Sequence, residues 1–354
     1  MLMGLRKHRD LQLAIGALLS LGASACGPRP DDANLTNQSA QTQDADLVEA
    51  LRNGTLSSFR KGHAEQCLTM REAPSNNVEQ HLARYREIFR SSSLGARTVQ
   101  AIEDQGVSIC DPCSGILSSV TQAGVFRGGD RTIGYGAGLR EGVRQVAIAH
   151  ELRHAWQNSH GLLNSSGLSK EARAARVFMT EADSRTFTVA WSWQQKQVGN
   201  ALPWNAVTSM WTYQPIAEAF ENRMNERQAA GLSTSSDQAL SDAMGHAFKG
   251  WFADPRIRGG YIDGIEDLYR NAGDNWTGEN ALPANFTDRL GGIPHSDLPR
   301  GSSYLNQQAV RDVLAIVRAD VNFNPDPIPT GPGIEPPRRH QRPSTPACAL
   351  PAPA

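Results

Sequence analysis

Val143-Arg144-Gln145-Val146-Ala147-Ile148-Ala149-His150-Glu151-Leu152-Arg153-His154-Ala155-Trp156-Gln157 is the stretch on which the reading of this chain turns. It contains neither Pro nor Gly, and Val143, Val146, Ala147 and Ile148 recur at helical spacing, which predicts a helix from Glu141 to Asn158 seated against a core. Residues four apart share a helix face, so the imidazoles of His150 and His154 stack one turn apart and can reach one ion. Glu151 stands about 100° round the helix from His150. It lies beside such an ion rather than on it, where a carboxylate can take a proton from ion-bound water. Zinc suits a donor set of two histidines and a carboxylate. The competing reading is a charged surface helix with idle histidines, and the apolar approach to the motif argues against it.

A metal held this way needs a third ligand, and two residues qualify. Glu181 falls in a second predicted helix, which starts at Ser169, a good N-cap, and runs to Gln197. His160 stands at the third-histidine position of an HExxHxxGxxH motif. Gln157 occupies the glycine position of that motif, so the turn would fall to Asn158, a residue that tolerates left-handed backbone. Glu181 is the preferred ligand.

Ala149-His150-Glu151-Leu152-Arg153-His154-Ala155-Trp156-Gln157, followed by Thr180-Glu181-Ala182-Asp183, resembles a family of uncharacterised bacterial metallopeptidase domains carrying HELRHAWQ and a downstream EAD segment. The resemblance covers two short blocks within residues 143–190. It implies a zincin-like, gluzincin-type domain with His150, His154 and Glu181 as zinc ligands, Glu151 as catalytic base and polypeptide as substrate. Many gluzincins have an Asp four residues after the ligand glutamate, where it orients a ligand histidine. Here that position is Arg185, and Asp183 lies roughly opposite Glu181 round the helix. Asp183 is therefore expected to make a structural ion pair or hydrogen bond, and the group that steadies the histidines stays open.

Charge narrows the partners. Thirty-five Lys and Arg against 36 Asp and Glu leave a net charge of −1, so no field favours nucleic acid or an anionic membrane. The N-terminus reads as a signal peptide over 1–25: a basic Arg6-Lys7-His8-Arg9, an apolar Leu11 to Leu21, then small residues Ala23-Ser24-Ala25. The apolar run is too short for a bilayer, which needs ~20 residues, so no transmembrane span is expected in the mature chain. Cys26 resembles the lipidated cysteine of a bacterial lipoprotein, although Ala23 replaces the usual Leu and also suits ordinary signal peptidase. Both readings place the protein outside the cytoplasm, in the periplasm, on the outer membrane or secreted. Residues 26–45 read as a flexible tether, 46–323 as the catalytic domain and 324–354 as a Pro-rich tail. Cys67, Cys110, Cys113 and Cys348 then predict two disulfides, with Cys110 and Cys113 joined locally or crossed to Cys67.

The remaining pattern is helix-dominated. Helices are predicted over 81–90, 204–229 (divided or kinked at Pro215), 236–252 and 306–319, with short strands over 107–110, 124–127 and 132–135. This pattern suits a helix-rich α+β fold with a small sheet, and together with the resemblance it leads us to expect a zincin-like metallopeptidase domain. Arg131 to Tyr135 is a candidate edge strand for an extended peptide. Tyr213, Tyr261 and His246 are candidate donors to an oxyanion. Most tryptophans are expected in the core, with Trp156 behind the site. The expected activity is zinc-dependent peptide hydrolysis outside the cytoplasm. The alternatives are a non-catalytic zinc-binding envelope lipoprotein and a zinc amidase acting on cell-wall fragments.

Overall fold

The structure, a computed structural model, describes residues 67–110, 123–136, 138–272, 276–299 and 302–324. The expected signal peptide, Cys26, the tether, Cys113, Cys348 and nearly all of the Pro-rich tail lie outside the described residues.

Four short strands form one sheet: β1 (Cys67–Thr69), β2 (Ser108–Cys110), β3 (Gly124–Arg127) and β4 (Thr132–Tyr135). Their order is β1-β2-β4-β3. β1 and β2 are antiparallel with Cys67 opposite Cys110, and a disulfide joins this pair. β2 and β4 are parallel, pairing Ile109 with Ile133. β3 and β4 form an antiparallel hairpin in which Val125 faces Gly134. Arg131, at φ 57°, closes the hairpin loop in the left-handed region. This order corrects one expectation: β4 lies between β2 and β3, so β1 and β3, rather than Arg131 to Tyr135, are the edge strands among the described residues.

Several helices start where a polar side chain satisfies one of their first free N–H groups. α1 (Asn77–Arg90) opens on Asn76, whose Oδ1 accepts from the Glu79 N–H at 2.9 Å. Glu79 in turn accepts from the Ser75 N–H and hydroxyl. α2 (Ser93–Ile102) is capped by Ser92. α3 (Glu141–Ser159) carries the His150 motif, and α4 (Lys170–Gln197) is capped by Ser169 as its sequence predicts. Pro215 divides the next stretch into α5 (Leu202–Ser209) and α6 (Gln214–Ala229) by sitting in the first turn of α6, where its missing N–H costs nothing. α7 (Asp237–Ala253) follows a Ser236 cap, then come α8 (Pro255–Ala272), α9 (Phe286–Leu290) and α10 (Gln307–Asp320).

α4 is the central post. It packs against α2, α3, α5, α6, α7, α8 and α10 and is buried on nearly every side, as a helix surrounded by others must be. Its Trp191 stacks on Phe89 with ring centroids 4.4 Å apart, and its Phe178 meets Trp251 edge-on at 5.6 Å. Fully burying an aromatic side chain of this kind stabilises by about 1.5–3 kcal/mol. α3 lies between α4 and the sheet, in contact with β3 and β4, and Val146, Ile148, Ala149, Leu152 and Ala155 are all buried. The two helices that carry the motif residues are thus fixed by buried side chains of the core.

Glycines hide α8 in the sequence. Gly259, Gly260 and Gly264 suggest loop, yet Ile257, Tyr261, Ile265, Leu268 and Tyr269 keep helical spacing and are all buried. No helix among the described residues is long and apolar enough to cross a membrane.

Candidate metal centre

α3 and α4 pack side by side and bring three metal-ligating side chains together. His150 Nε2 and His154 Nε2 are 3.1 Å apart. Glu181 Oε2 lies 3.4 Å from His150 Nε2, and Glu181 Oε1 lies 3.3 Å from His154 Nε2. Corners of a tetrahedron with metal–ligand bonds of ~2.0–2.1 Å are about 3.3–3.4 Å apart. The gaps are of that size, with Glu181 offering Oε2 to His150 and Oε1 to His154, and this trio could hold a metal ion. The side chains remain 11–13 % exposed, which leaves a path for a fourth, external ligand.

Each converging group has an outer partner. His154 Nδ1 lies 2.8 Å from Gln157 Oε1 and 3.2 Å from Ser184 Oγ. His150 Nδ1 lies 3.2 Å from the Tyr213 hydroxyl. Tyr261 donates its hydroxyl proton to Glu181 Oε2 at 2.9 Å. Arg185 stands behind both tyrosines: it donates to Tyr261 Oη at 3.0 Å and to the Thr212 carbonyl at 2.8 Å, and its guanidinium lies 5.0 Å from the Tyr213 ring. The arginine at the position of the gluzincin aspartate thus supports Tyr261 rather than a histidine.

Glu151 lies close enough to His154 and Glu181 to feel their charges, and it packs against the sheet. Its carboxylate lies against Gly124 of β3 and accepts from the Phe126 backbone N–H. Burial pushes its carboxyl up to about 7, with the positive charge of His154 pulling the other way. Burial drives His150 down to about 4. His154 is buried too, but the adjacent Glu181 carboxylate outweighs that and lifts it to about 9. Glu181 resists its own burial through the same two imidazoles and stays well below the usual carboxylate range. A buried carboxylate between two imidazoles is the electrostatic setting of a cation site.

The other candidates fall elsewhere. α3 continues through Ser159, so Asn158 makes no turn, and the left-handed residue is Gly161 at φ 68°. His160 ends the helix with Nδ1 2.8 Å from the Trp156 carbonyl and its ring on the Trp156 ring, apart from the converging trio. His246 lines a cleft between α7 and α10 that none of the trio borders. Tyr213 and Tyr261 both reach the site. Trp156 is buried behind it and carries the Arg153 guanidinium 3.8 Å from its ring centre.

Asp183 makes the structural ion pair and hydrogen bonds expected of it, and the sequence left only its partners unread. Asp183 accepts two bonds from Arg153 and one each from Gln157 and Tyr304. Arg153 also donates to the Leu290 carbonyl at 2.7 Å. The side-chain types were visible, but the contacts span distant segments, and no local spacing signals them.

Over residues 61–304 the chain matches the family described as "Putative metallopeptidase family (DUF6782)", and it belongs to that family. Comparison with curated proteins and with solved structures returns no match. Family membership and the fold together define a metallopeptidase of helix-rich α+β architecture.

Proposed function

We propose that the chain is a zinc-dependent peptidase in which His150, His154 and Glu181 hold the metal and Glu151 is the general base. The observation that carries this reading is the convergence of two imidazole Nε2 atoms and the Glu181 carboxylate, with gaps of 3.1–3.4 Å, and Glu151 on the next helical position after His150. Two imidazoles, one carboxylate and an open fourth side are the donor set of catalytic zinc sites. Bound there, zinc would supply Lewis acidity for a carbonyl and lower the pKa of a coordinated water towards ~7.

The protein's own residues do the rest. Glu151 receives the proton of the attacking water on its carboxylate and delivers it to the leaving amine. The Phe126 N–H fixes that carboxylate against β3. An extended peptide can add to an exposed sheet edge through its backbone, and β3 is the edge that lies beside Glu151. Tyr213 borders the trio and its hydroxyl can donate to a developing oxyanion, whereas Tyr261 gives its one proton to Glu181. The Cys67–Cys110 disulfide supports an oxidising, extracytoplasmic setting, in line with the expected signal peptide and the lipid anchor at Cys26.

Zinc stoichiometry tests the assignment. Purified parent protein should carry one zinc per chain. Glu181→Ala should lose it while His160→Ala keeps it, and the reverse pattern would overturn the ligand set.

A further inference from the structure

We propose that Gln157 is a positioning residue that fixes the tautomer of His154, and that the buried Asp183 dictates which way Gln157 faces. The inference rests on the metal-centre reading above and names the part of the chain that prepares one ligand for it.

The argument starts at Asp183. Its carboxylate is fully buried and can only accept. Arg153 holds it through Nε–Oδ2 and Nη2–Oδ1 contacts of 2.7 and 2.9 Å, and the Tyr304 hydroxyl donates to Oδ1. Gln157 presents Nε2 to Asp183 Oδ2 at 2.6 Å and to the Thr180 carbonyl at 2.9 Å. Both of those oxygens are obligate acceptors here. A Gln157 amide turned over would set its own oxygen against both at these distances, with no proton between them. Only one orientation survives, and in it Oε1 faces His154.

Oε1 is itself only an acceptor, so the His154 Nδ1 that lies 2.8 Å from it must carry the proton. A neutral imidazole has one N–H and one lone pair. With the proton held at Nδ1, the lone pair sits on Nε2, the atom that faces Glu181 and His150. Ser184 Oγ lies 3.1 Å from Gln157 Nε2, whose two protons face the nearer Asp183 and Thr180 oxygens, and it is the more distant neighbour of Nδ1, so it leaves this arrangement unchanged. Asp183 thus acts on His154 through one intermediate side chain. Its charge is balanced by Arg153, so what reaches the imidazole is orientation rather than negative charge. This fills the role left open where Arg185 replaces the carboxylate of related sites.

The test uses zinc affinity, read by competition with a chromophoric chelator, and nitrogen NMR of the histidine rings. Gln157→Leu removes the acceptor and should weaken zinc binding by roughly 10–100-fold, the usual loss when an outer partner of a metal-bound histidine is removed. Gln157→Glu can share one proton with Asp183 and still accept from Nδ1, so it should stay within about threefold of the parent. In the parent with its imidazoles neutral and no metal, His154 should show a protonated Nδ1 and a bare Nε2. Unchanged zinc affinity in Gln157→Leu, or an Nε2–H tautomer in the parent, overturns the inference. If the parent takes up no zinc, the functional reading fails instead, and the tautomer measurement still decides the role of Gln157. That measurement needs only the parent, so it also decides the matter if Gln157→Leu fails to fold.

Discussion

Arg153 and Asp183 are joined by two parallel hydrogen bonds of 2.7 and 2.9 Å in a pair whose side chains are 1 % and 0 % exposed. Arg153 precedes His154 on α3, and Asp183 lies two residues after Glu181 on α4. The pair therefore clamps the two helices together within a turn of the trio. A buried ion pair is weak evidence of net stabilisation, but removing one partner strands the other charge in the interior. Asp183→Ala should therefore lower unfolding stability by roughly 3–5 kcal/mol. Urea unfolding monitored by tryptophan fluorescence measures this. A loss under about 1 kcal/mol would mean that water reaches Arg153.

Glu151→Gln keeps the shape of the side chain and removes its ability to accept a proton. Peptide cleavage should fall roughly 10²–10⁴-fold, the usual contribution of a positioned general base. Zinc content should be unchanged, because the amide leaves the three converging donors untouched. Parallel assays of peptide hydrolysis and bound zinc separate the two. Cleavage at the parent rate by Glu151→Gln would remove Glu151 from the mechanism.

The same substitution has a pH signature in the metal-free protein. Burial lifts the Glu151 carboxyl to about 7, from 4.5 for a free side chain. Between these values the native state holds a proton that the unfolded chain has released, so native stability falls as pH rises from 4.5 and levels off above 7. The shift corresponds to about 3 kcal/mol. Glu151→Gln removes this loss. The metal-free variant should match the parent near pH 4.5 and exceed it by up to that amount at pH 8. Urea midpoints at the two values check it, and a gap that does not widen with pH contradicts the burial argument.

How much of this was legible in the sequence depends on the range of the contacts. The helix around His150 and the one opening at Ser169 were readable because caps and apolar spacing act locally. Glu181 was readable because one helix position decides where its side chain points. α2 and α9 went unread, and so did α8, whose glycines outweighed its buried face. β1 is three residues long and is held by pairing with β2 across the disulfide, which no window around Cys67 contains. Gln157 seemed only a missing glycine. Its meaning depends on Asp183, Thr180 and Ser184 arriving from another helix.

Cys67 and Cys110 close a loop of 43 residues through their disulfide. Cross-linking a loop of this length restricts the unfolded chain by about 4 kcal/mol in the chain-entropy account. Replacing both cysteines with serine should lower unfolding stability by about 2–4 kcal/mol. Urea unfolding without reductant measures the difference. An unchanged midpoint would show that the bond contributes nothing to the folded state.

Gly124 decides how closely β3 approaches Glu151, the proposed base. A methyl group there would stand 3.0 Å from Glu151 Cγ, 3.1 Å from its Oε1 and 3.4 Å from Ala147 Cβ. The first two contacts involve a side chain that can swing aside, so the strand need not move and the fold should lose little. The cost falls on position. A carboxylate displaced by a few tenths of an ångström loses its alignment with the Phe126 N–H and with the water it must deprotonate, and misplacement of about 1 Å can cost ~10²-fold in rate. Gly124→Ala should therefore lower kcat roughly 10–100-fold while zinc affinity stays at the parent level. Steady-state peptide hydrolysis alongside chelator competition tests this. A variant that loses zinc but keeps kcat when reloaded would show that β3 shapes the trio rather than the base.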